Sequence, residues 1–113
     1  THESIETYRN EYENFERKDI LFIKNEYTGI LDNVEKIDSI IDKFSIGWSV
    51  DRLSTVDKAI LRIAVYEIMF DDDIPNKVSV NEAVELAKEF SEDKAPSFIN
   101  GVLGKVVRYK EAN

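Results

Sequence analysis

Cysteine is absent from the chain, and histidine occurs once, as His2. The first absence excludes disulfides, thiolate metal sites and cysteine nucleophiles. The second leaves one imidazole beside the N-terminus, a poor place for a catalytic base or a metal ligand. Two prolines and four glycines are few, which favours long uninterrupted helices over a turn-rich β fold. No apolar run approaches membrane-spanning length and nothing resembles a signal peptide, so a soluble cytoplasmic protein is expected, with no membrane partner. No nucleophile, base and orienting group converge, and no spacing ties acids and imidazoles into a metal constellation. The expectation is therefore no enzyme, no cofactor and no metal.

What is present is a chain of 113 residues, 42% hydrophobic and 34% charged, enough for one core and not for two. A single domain over residues 1–113 follows. Fifteen basic residues against 23 acidic ones give a net charge of −8. Such a chain repels phosphate at long range unless its cations are locally concentrated, and it suits a basic protein partner.

Hydrophobic spacing organises the chain. Ile5, Tyr8, Tyr12 and Phe15 predict a short amphipathic helix over 5–15. Ile20, Ile23, Tyr27, Ile30, Val34, Ile37, Ile41 and Phe44 predict one long helix from Asp19 to Phe44, its stripe widened by Leu21, Leu31 and Ile40. Gly29 inside it costs roughly 1 kcal/mol relative to alanine, and Gly47 marks its end. Trp48 to Leu53 reads as a connector of about one helical turn. Ser54 is an N-cap with Asp57 three residues on, and the helix TVDKAILRIAVYEIMF is apolar nearly all round, which places it at the centre of a bundle. Asp71, Asp72, Asp73 and Pro75 stop it. Ser79 and Glu82 form an S-x-x-E box opening the next helix, with a stripe of Ala83, Leu86, Ala87 and Phe90. The last helix starts around Pro96 and buries Ile99, Val102, Leu103 and Val106. No strand alternation is convincing. The expected fold is all-α, a compact bundle of about five helices plus a short connector helix.

Some residues carry two readings. Phe98 lies roughly a quarter-turn off the stripe of its helix, so it either closes the edge of the core or presents a ring on which a base stacks. No acid occurs between Lys94 and Lys110, while Lys105 and Arg108 fall in that span. Cations late in a helix offset the macrodipole, which accounts for Lys105, Arg108 and Lys110; Lys94 precedes the helix, where positive charge is unfavourable. Asp57 is explained by capping and Asp51 by solvation, yet an acidic edge also favours a basic partner. Three consecutive acids, Asp71 to Asp73, point different ways and read as a solvated helix end. Gly101 inside a helix suggests close approach of a neighbour that Asn100 caps or bonds, and Glu67 should pair or hydrogen-bond within the bundle.

The segments AILRIAVYE, IPNKVSVNEAVELAKEFS and FINGVLGKV, in that order and spacing, resemble the NusB family of transcription antitermination factors. The likeness covers Trp48 to Val106 with strong motifs. It implies an all-helical protein that joins the basic ribosomal protein NusE, holds single-stranded boxA RNA in ribosomal RNA transcripts, and modifies RNA polymerase without chemistry. It places Phe98 and the link of Lys94 at the RNA surface, and Asp51 and Asp57 against NusE; Lys105 and Arg108, from their position in the acid-free span, are read beside them as phosphate contacts. Family members begin with an arginine-rich segment and a first long helix; nothing before Ile5 resembles them. The resemblance thus implies a chain lacking both, with apolar surface free for a homodimer. Two other readings stand beside it: a helical module making protein contacts only, and the similar domain fused to an RNA cytosine methyltransferase.

Overall fold

Residues 26–47 and 49–113 are described by the computed structural model, and their regular structure is entirely helical. Helical turns over 26–32 lead into α1 (Val34–Phe44), a 3-10 turn (Val50–Arg52), α2 (Thr55–Phe70), α3 (Asn76–Phe90) and α4 (Ala95–Ala112). Five helical segments plus a 3-10 turn among the described residues make the all-α bundle that periodicity predicts. The helix expected over 5–15, and the start of the long one, lie outside the described residues.

The long helix expected to run unbroken to Phe44 is instead divided at Asn33. The Asn33 N–H donates to the Ile30 carbonyl at 3.2 Å, while its side-chain amide donates to the Gly29 carbonyl at 2.8 Å. The side chain thereby competes with the backbone for a helical acceptor, a known habit of asparagine. Ile37 then donates to the Asn33 carbonyl at 2.9 Å and the helix resumes. Ile37, Ile40 and Ile41 are buried, but Tyr27 and Leu31, expected in the stripe, are exposed. Gly29 is more than a tolerated cost. A Cβ there would lie 2.7 Å from Cε2 of Tyr66 and closer still to its hydroxyl, so only glycine lets this ring cross the helix.

Beyond α1, Ser45 Oγ donates to the Ile41 carbonyl at 2.7 Å, and Asp42 accepts the Val50 N–H at 2.6 Å. Gly47 turns the chain at φ +86°, in the left-handed region that favours glycine. α2 opens as the sequence predicts, the Ser54 hydroxyl accepting the Asp57 N–H at 3.1 Å. It packs against α1, α3 and α4 and is central to the bundle. Its apolar circumference is not wholly covered, however: Val56, Ile63 and Phe70 keep more than a third of their surface exposed. Arg62 clamps it to α1 through Nε to Asp38 Oδ1 at 2.8 Å and Nη2 to Oδ2 at 2.7 Å. This fork holds the guanidinium pKa above its ordinary value, chiefly through the hydrogen bond to Asp38.

The S-x-x-E box at Ser79 and Glu82 does not open α3. The helix starts three residues earlier, at Asn76 directly after Pro75, and Ser79 is buried within it at 1% exposure. Ser79, Ala83 and Ala87 form the inward row, three small residues that let α3 lie close to α2 and α4. Leu86 and Phe90, expected in the core, face outward, Phe90 at 61% exposure. α4 carries Pro96 in its first turn and buries Ile99, Val102, Leu103 and Val106 as expected, with Ala95 in addition. Full burial of side chains such as Ile37, Leu61, Ile99 and Leu103 stabilises by about 1.5–3 kcal/mol each. Gly101 has no neighbour within 4 Å of a Cβ placed on it, so the helix approach expected there does not occur.

Glu67 does find a partner, but an acidic one. It is buried on α2 and faces Glu26, whose Oε1 is buried without a hydrogen-bond partner. Burial first, then the adjoining Glu67 carboxyl and the charges of Asp71 and Glu82, push the Glu26 pKa up to about 8.

Candidate nucleic-acid and partner interface

The start of α2, the end of α3 and the start of α4 meet at one end of the bundle. Residues 91–94 join α3 to α4, closed by the Ala95 N–H donating to the Glu92 carbonyl at 2.9 Å. Ser91 Oγ donates to Asp57 Oδ1 at 2.6 Å, tying this link to the first turn of α2. The Asp57 backbone therefore serves the Ser54 cap while its carboxylate serves a residue 34 positions away.

A cleft of about 450 Å³ opens between these elements. Leu53, Ala95 and Phe98 supply its apolar wall; Arg52 and Lys94 bring positive charge, Asp57 and Glu92 negative charge. Phe98 is half-buried, one side packed on the core and the remainder turned to the cleft. It holds both of the positions its spacing allowed, core edge and surface ring. Lys94 is exposed at the start of α4; its carbonyl accepts the Phe98 N–H at 3.3 Å, and among the described residues its ammonium forms no ion pair.

Of the residues singled out from sequence, the cleft brings together Phe98, Lys94 and Asp57. Lys105 stands two turns further along α4, on the same side as Phe98 at 100° per residue. Arg108 leans the other way: its Nη1 is 3.7 Å from where a Cβ on Gly104 would be. Asp51 is exposed on the 3-10 turn, outside the cleft lining. Lys110 is engaged, donating to Asp72 at 3.0 Å, and Asp71 accepts the Asp73 N–H at 3.1 Å. Arg52, Leu53, Ser91 and Glu92 belong to the site but carry no spacing signal; only the chain's return brings them in. Among the described residues no acid or imidazole cluster could hold a metal ion, and no helix is long and apolar enough to cross a membrane.

A helical bundle whose cleft sets a half-exposed ring beside cations and acids offers the groups of a binding surface. The chain belongs to the NusB family, whose sequence profile matches residues 1–108; this is a non-enzymatic family of transcription antitermination factors. It is 50% identical over 95 residues to the transcription antitermination protein NusB of Clostridium novyi (strain NT), covering 84% of this chain and 71% of the relative. The NusB of Acetivibrio thermocellus is 54% identical over 89 residues, 79% of this chain and 61% of that one. The solved structure of T. maritima NusB superimposes with a TM-score of 0.72 at 38% identity, covering 74% of this chain and 59% of that chain. The chain thus spans between about six and seven tenths of the length of these relatives.

Proposed function

We propose that this chain serves in transcription antitermination by holding single-stranded boxA-type RNA jointly with the basic ribosomal protein NusE, for delivery to RNA polymerase in the cytoplasm. The observation that carries the reading is the cleft at the α2–α3–α4 junction, where Phe98, Lys94 and Asp57 share one recess. A half-exposed ring anchored in the core is a rigid stacking platform for a base, and stacking is worth about 1–3 kcal/mol per base. Gly101, one turn on from Phe98, has open space beside it, so a strand can approach the helix there. Lys94, and Lys105 and Arg108 further along α4, supply phosphate contacts, in a stretch of α4 that has no acid. Asp51 and Asp57 present acid to the basic partner, consistent with the net charge of −8.

The test is a titration of boxA-type single-stranded RNA against the chain, alone and with equimolar NusE, at two salt concentrations. Salt-sensitive binding that needs NusE is expected, with a loss of about ten-fold for Phe98→Leu, which keeps apolar packing and removes the ring. Association with NusE but no RNA binding would leave a protein-contact module only. Failure to bind NusE would sink the joint-complex reading.

A further inference from the structure

A second aromatic–basic group lies on the same side of α4. The Phe44 and Tyr109 rings, from the ends of α1 and α4, pack with centroids 5.5 Å apart and planes tilted by 59°. Lys43 Nζ sits 4.4 Å from the Tyr109 centroid and 5.5 Å from that of Phe44. Lys43 is exposed, and its neighbour Asp42 is spent on the Val50 N–H. Helical geometry puts Tyr109 about 20° in azimuth from Phe98 and about 16 Å along the axis, with Lys105 between them. Of the other cations, Lys110 is committed to Asp72 and Lys36 lies over the Phe70 ring at 5.4 Å, while Arg108, next to Tyr109, is exposed and leans toward Gly104.

Resting on the RNA reading above, we propose that the strand continues from Phe98 along α4 past Lys105 to a further phosphate contact at Lys43. Tyr109 and Phe44 act there as positioning residues. Two rings hold the ammonium in place, so little side-chain freedom remains to be lost when a phosphate arrives. The helix end and the rings explain where Lys43 sits; they also leave its outward N–H donors turned to solvent, beside a helix face without acids. Phe98 engages a base and Lys43 a phosphate roughly three turns away, so the site reads strand length as well as sequence.

The experiment compares short and long boxA-type RNAs, roughly four and roughly twelve nucleotides, on the full chain with NusE. The variants are Lys43→Gln and Lys36→Gln, the second removing an equal charge from a like cation–ring contact off the track. Lys43→Gln should weaken the long RNA several-fold, leave the short one unchanged, and lower the salt slope by about 0.7. Tyr109→Leu should reproduce part of that loss, while Lys36→Gln should leave the slope intact. Equal effects of the two lysine variants, or no effect of Lys43→Gln while Phe98→Leu still weakens binding, overturns the extended track and leaves the first contact standing. No binding of either RNA by the wild-type complex removes both.

Discussion

A methyl group at position 29 would collide with the Tyr66 ring, and this makes Gly29 a test of what a single residue does in this fold. Helix propensity alone says that Gly29→Ala stabilises by about 1 kcal/mol. The contact says the opposite, because the phenol must move out of a packed site, and overpacking typically costs about 1–3 kcal/mol. The expected outcome is a lower urea midpoint for Gly29→Ala. Partial recovery is expected in Gly29→Ala combined with Tyr66→Phe, which removes the atom nearest the new methyl. A midpoint at or above wild type would mean the ring yields freely. From the sequence the glycine was visible only as a cost; its reason comes from a tyrosine 37 positions away.

At the scale of the element, α3 shows how a local motif can be present without acting. Ser79 and Glu82 have capping-box spacing, but Pro75 fixes the chain one turn earlier and the helix is already running when it reaches Ser79. Its hydroxyl is then buried with no hydrogen-bond partner. A cap lost to alanine costs about 1 kcal/mol; a buried orphan hydroxyl lost to alanine relieves a desolvation cost of about 1–3 kcal/mol. Ser79→Ala should therefore leave stability unchanged or raised, as read by thermal or urea melting, and a clear loss would restore the cap. The same element shows the limit of periodicity. The expected stripe named Ala83 and Ala87 correctly, but Leu86 and Phe90 lie on the outer flank. Small residues mark the inward row because α3 sits close to its neighbours, a distance that no single helix encodes. α4 was legible almost whole, since its buried positions follow one regular stripe.

For the molecule as a whole, pH should act through the carboxyl pair between the 26–32 turns and α2. Unfolded, Glu26 releases its proton near the ordinary value of 4.5; folded, it holds it to about 8. Between these values the folded state binds the extra proton, so this contribution is full below about pH 4.5 and is lost as pH rises through about 8. Glu26→Gln keeps the group neutral throughout. The wild type should lose stability relative to this variant between about pH 5 and pH 8, measured as the difference in urea midpoints. A constant difference across that range would show that Glu26 is not held protonated. Charge also bears on the function proposed above: on that reading a chain of net charge −8 gathers its cations along one helix to meet RNA and turns its remaining surface to a basic protein.

Taken alone, the order and period of the residues determined the all-α class, the Ser54 cap, the buried stripe of α4 and the family motifs, because each depends on neighbours within a turn or two. Tertiary structure decided the break at Asn33, the outward turn of Phe90 and the fit of Tyr66 on Gly29. It also decided the site. The Ser91–Asp57 hydrogen bond, the cleft that joins Asp57 to Phe98 and the seat of Lys43 over Tyr109 all connect residues far apart in the chain. Such contacts exist only once helices have docked, and helical periodicity says which face docks but not what it meets.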